Sequence, residues 1–190
     1  MDLKTFVKVN SVTNLSDARY CAGMGVHQIG FCLDEKNKNH ITSETIKAIT
    51  GWISGVEIVS EVEQYQENLP TDAVEVHSLI NIDRFNNVKL NVRMSLEEAE
   101  TKINTLKELT NLDYLLLVNN DENNLQIDRI NKLALQVPIV LGDGFNSTTI
   151  NHLLGKLNIK GIALNGTDEI RPGFKDYDQL ADVLEAIEIV

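Results

Sequence analysis

Polar residues that could transfer protons or bind a ligand follow the apolar runs of this 190-residue chain. Carboxylic acids and histidine can gain and lose a proton near the operating pH of an enzyme. Glycine-containing turns allow backbone N–H groups to approach a phosphate. These residues can share one site only if the fold brings the ends of the apolar runs together. The candidate set consists of Asn10, Ser11, Asp34, Ser60, Glu61, His77, Arg93, Asn119, Asn120, Asp121, Gly142, Asp143, Gly144, Asn165 and Gly166.

Eight short apolar runs rich in Val, Ile and Leu alternate with longer amphipathic segments. This alternation is typical of repeated strand–helix units around a parallel sheet. Most of the runs are continuously apolar, as expected of strands that are covered on both faces. The predicted strands are residues 5–9, 28–32, 56–59, 73–77, 88–92, 114–118, 138–141 and 161–164.

The segments between these strands carry helix signals. Ser95 stands three residues before Glu98, which is the spacing of a serine cap with an acid at the third helical position. Residues 78–86 are short enough to hold only a turn or two. The predicted helices are residues 16–24, 43–53, 95–109, 146–154 and 176–187.

Eight strands, each followed by a helix or a helical turn, predict an α/β fold: a compact, single-domain (β/α)8 TIM barrel over residues 1–190. The alternative is a doubly wound open sheet, but no Gly-x-Gly-x-x-Gly follows the first strand to support its dinucleotide-binding form. In a barrel, chemistry lies at the carboxyl ends of the strands. The barrel therefore places the candidate set at one end of the molecule.

Composition narrows the range of partners. A net charge of −11 argues against binding a nucleic-acid backbone, and no apolar run approaches the roughly 20 residues that span a bilayer. The two cysteines, Cys21 and Cys32, fit small buried hydrophobes in a reducing cytoplasm. We therefore expect a cytoplasmic monomer or homodimer with a small-molecule ligand, and no membrane or nucleic-acid partner. We expect no cofactor and no metal, since the histidines lack the spacing of metal ligands.

Three segments resemble the phosphoribosylanthranilate isomerase family, in the family's order along the chain. Residues 8–13, Lys-Val-Asn-Ser-Val-Thr, with Asp-Ala at 17–18, are similar to Lys-(Ile/Val)-Cys-Gly-(Ile/Leu)-Thr and a following Asp-Ala. Residues 74–77, Val-Glu-Val-His, are similar to Val-Gln-Leu-His. Residues 138–146 and 172–176 resemble Pro-Val-Ile-Leu-Ala-Gly-Gly-Leu-Asn and a later Pro-Gly-Val-Lys-Asp. The resemblance implies the barrel fold and, for the family, an Amadori rearrangement of a phosphorylated ribosyl-anthranilate in tryptophan biosynthesis.

The resemblance also implies that both proton-transfer groups of the family are missing here. Asn10 stands in the slot of the cysteine base, and Val118 stands in the slot of the aspartic acid that ends the sixth strand. Neither side chain can exchange a proton near neutral pH. The possible substitutes are Asp121, Asp143 and His77.

The family's binding groups have changed as well. Asn39 occupies the slot of the arginine that meets the anthranilate carboxylate, and it cannot give a bidentate charged contact. Asp143 replaces the first glycine of the phosphate turn, where a carboxylate would repel a phosphate dianion. The expected ligand-binding residues are Asn10, Asn39, His77, Gly142, Asp143, Gly144, Asn165 and Gly166.

Several of these residues also have structural interpretations. Lys8 is expected to pair with acids of other strands inside the barrel, and Glu75 to have a local structural partner. Asp143 is expected to bond its own backbone in a turn, and residues 119–124 to form a flexible polar loop. Trp52 is expected to pack in the core, and His77 either binds ligand or hydrogen-bonds the barrel rim.

Two hypotheses of function follow. The first is a barrel that keeps the fold, lacks the isomerase activity and binds a small polar or phosphorylated metabolite or a protein partner. The second is an enzyme, either an active isomerase or a new acid–base reaction at the same pocket. The loss of two proton-transfer groups favours the first, since each should cost on the order of 10²–10⁴-fold in rate.

Overall fold

Eight parallel strands close into a barrel in the computed structural model, which describes residues 2–63, 66–166, 169–171, 174–175 and 177–189, with backbone alone given for 169–171 and 174–175. The strands pair in sequence order, and β8 returns to β1 over five residue pairs from Phe6–Gly161 to Asn10–Asn165. The predicted TIM barrel is therefore confirmed. The strands are β1 Phe6–Asn10, β2 Gln28–Cys32, β3 Glu57–Val62, β4 Ala73–Val76, β5 Lys89–Met94, β6 Leu112–Leu117, β7 Ile139–Leu141 and β8 Gly161–Asn165.

Helices follow most of the strands. All five predicted helices are present with shifted ends, and residue 176, where the last one was expected to begin, lies outside the described residues. A short antiparallel pair, β9 Glu169–Arg171 and β10 Phe174–Lys175, was not predicted. The helices are α1 Leu15–Gly23, α2 Ser43–Thr50, α3 Leu96–Glu108, α4 Ile127–Ala134, α5 Ile150–Leu154 and α6 Asp178–Ala186, with 3₁₀ turns at Ile82–Phe85 and Glu122–Asn124.

The presence or absence of a capping side chain explains why some helix starts could be predicted from the sequence and others could not. The Ser95 hydroxyl accepts a hydrogen bond from the Glu98 N–H, and the Glu98 carboxylate accepts one from the Ser95 N–H, as the sequence indicated for α3. Helix α4 was missed, since Gln126 precedes it without a capping side chain. Helix α5 begins four residues later than predicted, because Asn146 Oδ1 accepts the N–H groups of Thr148 and Thr149 and holds a turn there.

The prediction that Trp52 packs in the core is wrong. Trp52 lies just after α2, and its side chain is 69% exposed. The Arg19 guanidinium lies 5.7 Å from its ring centroid, within the range of a cation–π contact. The large apolar core lies instead between the strands and the helices, where Cys21 is buried as predicted, while Cys32 is buried at the end of β2.

The interior of the barrel has two unlike halves. Inward side chains of β6 to β8 form a separate apolar cluster of Tyr114, Leu116, Val140 and Ala163, with Phe6 and Val118 packed against it. Inward positions of β1 to β5 are largely polar. Near the amino end of the strands, Tyr114 donates a hydrogen bond to Gln28 Oε1 at 2.7 Å and accepts one from Asn91 Nδ2 at 2.9 Å. Burial raises the pKa of the Tyr114 hydroxyl well above its ordinary value, so it stays a neutral donor.

Candidate ligand site at the carboxyl ends of the strands

Asn10 lies inside the barrel at the last position of β1 and is 1% exposed. Its Nδ2 donates to Asn165 Oδ1 at 3.2 Å, and its backbone carbonyl accepts the Gly166 N–H at 2.8 Å. The structure thus brings three of the predicted site residues together. Among the described residues the Asn10 Oδ1 atom has no hydrogen-bond partner.

Ser11 fixes the chain as it leaves β1. Its φ angle of 53° lies in the left-handed region, which is uncommon for a non-glycine residue and is often found at functional sites. The Glu61 carboxylate on β3 stabilises this conformation, because it accepts the Ser11 N–H at 3.1 Å and the Ser11 hydroxyl at 2.8 Å. The buried carboxylate of Glu61 therefore supports the backbone at the mouth of the barrel, by which we mean the end where the carboxyl ends of the strands lie.

A charged network crosses the polar half of the barrel below the mouth. Lys8 Nζ bonds Glu75 Oε2 and lies 3.2 Å from Glu61 Oε1. On the far side, Arg93 Nη1 on β5 lies 3.8 Å from Glu75 Oε1. The predicted roles of Lys8 and Glu75 are confirmed: these residues pair across strands and are both fully buried. Two cations and two carboxylates leave the network with no net charge.

The slot of the family's acid carries an apolar surface. Val118 follows β6 and is half-buried, and its Cγ1 methyl belongs to the apolar half of the interior. Gly142, after β7, lies against it so closely that an added Cβ would meet Val118 Cγ1 at 3.0 Å and the Leu117 carbonyl at 2.9 Å. Val118 therefore gives the site an apolar surface and cannot donate or accept a proton.

Asp143 ties together the loops that follow β6 and β7. Its Oδ2 accepts the Asn119 N–H at 2.7 Å, and its Oδ1 accepts the Asn120 N–H at 2.8 Å and the Asn120 carboxamide at 2.7 Å. The expectation that Asp143 bonds its own backbone is wrong: its partners lie on the neighbouring loop. Residues 119–124 form a bend followed by the 3₁₀ turn Glu122–Asn124, and the hydrogen bonds to Asp143 hold the bend, while the flexibility of this loop stays a prediction.

A groove of about 870 Å³ runs beside this turn, between the ends of β7 and β8 and helix α6. Its lining includes Gly142, Gly144 and Gly166, whose positions are those of the expected phosphate site. Three carboxylates, Glu122, Asp143 and Asp182, also line it, and the described lining includes no lysine or arginine. A phosphate dianion placed there would meet like charges, and no cation of the described lining would offset them.

The remaining candidates are engaged locally or stand apart. Asp34 Oδ1 accepts the Lys36 N–H at 3.1 Å, and Asp121 Oδ1 accepts the Asn123 N–H at 2.9 Å, so each carboxylate holds a turn. Asn39, half-buried, donates its N–H to Asn37 at 2.9 Å. His77 is exposed directly after β4. The described contacts connect neither Asn39 nor His77 to Asn10 or to the turn at Asp143.

The described ranges of the chain lack a cluster of metal ligands and a membrane-spanning helix. These ranges contain no group of three or more His, Cys, Asp or Glu side chains arranged to hold a metal ion. None of their helices combines the length and the apolar character needed to cross a membrane.

The polar interior residues Gln28 and Asn91 were not in the candidate set, although a single amide in an otherwise apolar run is the sequence signal that marks each of them.

Comparison with known proteins finds relatives that match nearly the whole chain, although no protein-family model matches it. N-(5'-phosphoribosyl)anthranilate isomerase of Petrotoga mobilis is 20% identical over 201 residues, which cover 97% of each chain. The crystal structure of phosphoribosyl anthranilate isomerase from Thermotoga maritima matches with a TM-score of 0.79 and 18% identity, covering 96% of this chain and 98% of that one. A structure of such an isomerase in complex with reduced 1-(o-carboxyphenylamino)-1-deoxyribulose 5-phosphate matches at 0.77 and 19% identity, with the same coverage.

The three matches share one description, extend from end to end, and agree with the closed barrel and its strand order. Sequence and fold together point to the phosphoribosylanthranilate isomerase family.

Proposed function

We propose that this chain is an isomerase-like barrel that no longer catalyses the isomerase reaction and binds a small polar metabolite at the carboxyl ends of its strands. The proposed location is the cytoplasm, and the proposed assembly is a monomer or a homodimer. The observation that carries the proposal is the environment of Asn10. A buried carboxamide, hydrogen-bonded to Asn165, fills the position where the rearrangement requires a proton acceptor.

The second proton-transfer position supports the same conclusion. The rearrangement needs an acid to protonate the ring oxygen and a base to remove the C2 proton. Val118 supplies an aliphatic surface at the acid position, and the nearby carboxylate of Asp143 is already bonded by three donors. Loss of acid and base, each worth on the order of 10²–10⁴-fold, leaves little rate for a pathway enzyme.

The phosphate end of the pocket supports a change of ligand. Glu122 and Asp143 line the groove, where the resemblance predicts a phosphate turn. A relative has been crystallised with a ligand that carries both a carboxyphenyl group and a phosphate. Because the described lining of the groove here is acidic, we propose that the bound metabolite lacks a phosphate.

Complementation tests the proposal. A tryptophan auxotroph that lacks its own isomerase should fail to grow without tryptophan when it expresses this chain, and it should grow when it expresses the Thermotoga maritima isomerase. Growth supported by this chain would refute the proposal. Immunoblotting for equal soluble expression excludes poor production as the cause of failed growth.

Engineered reversal identifies which change matters. If Asn10→Cys with Val118→Asp restores turnover, the pocket still admits the substrate and only the chemistry was lost. If turnover also requires Asp143→Gly, the pocket itself has changed its ligand.

The alternative is an active enzyme, either an isomerase or a catalyst of a new acid–base reaction. The observation in its favour is the exposed imidazole of His77 at the end of β4. In that case His77→Asn should abolish a measurable turnover of the purified protein, while His152→Asn, at an exposed histidine of α5, should leave it unchanged.

A further inference from the structure

Arg93 is a cation placed at the mouth of the barrel. It is the fifth of the six residues of β5, and Asn91, two residues earlier, points inward to Tyr114 and Gln28. Side chains alternate along a strand, so Arg93 also points inward, as its contact with Glu75 requires. The side chain is 29% exposed, whereas Lys8 and Glu75 beneath it are fully buried. Arg93 is therefore the member of the network that meets solvent.

Among the described residues, the guanidinium of Arg93 has hydrogen-bond donors that no acceptor uses. Its contact with Glu75 is 3.8 Å long, which is an ion pair but too long for a hydrogen bond. Lys8 bonds the other oxygen of that carboxylate, while Glu75 Oε1 has no hydrogen-bond partner among the described residues. Buried Glu75 thus attracts the guanidinium by its charge, and no described residue accepts a hydrogen bond from the guanidinium N–H groups. A guanidinium whose N–H groups have no acceptor can bind a carboxylate through two parallel hydrogen bonds.

The neighbouring strand supplies an apolar wall. Arg93 is in register with Leu116 on β6, so Val118 is the next inward position above it on that strand. An acid at position 118 would compete for the guanidinium, whereas the valine leaves it available. Val118 continues into the apolar cluster of Leu116, Val140 and Ala163. Within the described residues, the mouth thus offers the cation of Arg93 on β5 and the apolar surface of Val118 after the neighbouring strand β6.

We propose that the mouth of the barrel binds a small organic monocarboxylate, with the carboxylate on the Arg93 guanidinium and the apolar body against Val118. This inference rests on the proposed function, which it extends by naming the ligand class. It moves carboxylate recognition from the loop after β2, where Asn39 stands, to the end of β5. The acidic groove at Asp143 restricts the ligand to one negative charge at this end.

Benzoate is the probe, and benzamide, acetate and inorganic phosphate are the comparisons. Isothermal titration and thermal unfolding of the full chain should show saturable binding of benzoate. Benzamide lacks the charge, acetate lacks the apolar body, and phosphate lacks the body and carries extra charge, so each should bind at least about tenfold more weakly.

Variants of Arg93 and Val118 test whether these two residues bind benzoate. Arg93→Met should abolish benzoate binding, and Arg93→Lys should weaken it about tenfold, since an ammonium is a point donor. Val118→Asp should abolish binding, and Val118→Leu should retain it. Lys89→Met is the matched control, because Lys89 is a cation on the same strand at the opposite end of the barrel, where it pairs with Glu57.

Three outcomes would overturn the assignment: no benzoate binding by the unaltered protein, equal binding by Arg93→Met, or equal binding of benzamide. If Arg93→Met does not fold, Arg93→Lys and Val118→Asp give the same decision. Isomerase turnover is measured on the same samples. Turnover by the unaltered protein would overturn the proposed function, and the benzoate titrations would still decide the assignment of Arg93.

Discussion

Lys8 shows how one buried cation supports the mouth of this barrel. It lies within ion-pair distance of two carboxylates on two other strands, Glu61 and Glu75, and all three are at most 4% exposed. Removing one partner of a buried ion pair leaves an uncompensated charge in a low-dielectric interior. The position of Ser11 depends on one of these carboxylates, because Glu61 accepts hydrogen bonds from the Ser11 N–H and from the Ser11 hydroxyl. Lys8 therefore stabilises the chain at the site as well as the barrel.

Replacing Lys8 by methionine should lower the free energy of unfolding by about 3–5 kcal/mol, because Glu61 and Glu75 would remain buried without their cation. Urea unfolding measures the change. Lys89→Met is the control, since its pair with Glu57 is partly exposed and should be worth about 0–1 kcal/mol. Equal losses for the two variants would contradict the buried network.

His27 gives the stability a dependence on pH. Burial lowers the pKa of its imidazole from the ordinary value of 6.5, and its Nδ1 accepts the Val7 N–H at 3.1 Å. The unfolded chain therefore takes up this proton more readily than the folded chain. As pH falls through the unfolded value, the balance shifts toward unfolding, and the loss is complete below the folded pKa.

The unaltered protein should therefore lose more stability than His27→Gln between about pH 7.5 and about pH 5. Urea midpoints at the two pH values measure the loss for each protein, and the contribution of the carboxylates cancels in the comparison. An equal or smaller loss in the unaltered protein would show that His27 does not titrate in this way.

The sequence predicted some side-chain roles and not others. A lysine inside an apolar run has few options, so the pairing of Lys8 could be predicted without knowing its partners. Asp143 could not be placed, because its partners, Asn119 and Asn120, lie on a loop 23 and 24 residues away and only the barrel brings them close. Trp52 was misplaced since helical position does not reveal that the chain turns outward after Gly51.

At the scale of elements, close approach of backbones closes the barrel. Gly161 begins β8 beside Phe6 on β1, and an added Cβ would lie 2.0 Å from the Phe6 carbonyl oxygen. No side chain fits at that distance without moving a strand. This contact sets the register that brings Asn10 beside Asn165 at the other end of the same two strands.

Gly161→Ala should destabilise the protein by several kcal/mol or prevent its folding, because the methyl group would push β1 and β8 apart. Gly23→Ala is the control: it lies at the end of α1 with no atom within 4 Å of the added Cβ, and it should be neutral or stabilising by up to about 1 kcal/mol. Thermal unfolding compares the two. A stable, unshifted Gly161→Ala protein would contradict the closure described for β1 and β8.

Element existence was easier to predict than element ends. The eight strands were recognisable because most of them are buried on both faces and read as continuous apolar runs. Ends depended on local hydrogen bonds, such as the Asn146 turn that delays α5, and these leave a weaker pattern in the sequence. Helix α4 had neither a capping side chain nor a strong start signal, so it was missed.

For the whole molecule, the barrel interior separates a hydrogen-bonded structural network from the proposed ligand site. The amino ends of the strands hold a closed network of Gln28, Asn91 and Tyr114, while the carboxyl ends hold Asn10, Arg93 and Val118. The fold followed from the sequence, because alternating strands and helices suffice for it, and the location of the site stays a prediction that rests on the barrel rule. The sequence alone did not predict the role of Arg93, which depends on register between β5 and β6.

The most direct test of the central claim is a single-turnover measurement with purified protein in excess over N-(5'-phosphoribosyl)anthranilate. Excess protein reveals chemistry even when binding is weak. The account predicts that the unaltered chain converts the substrate no faster than buffer does, and that Asn10→Cys with Val118→Asp, with Asp143→Gly where needed, raises the rate by on the order of 10²-fold or more. Conversion by the unaltered chain at a rate above that of buffer would contradict it.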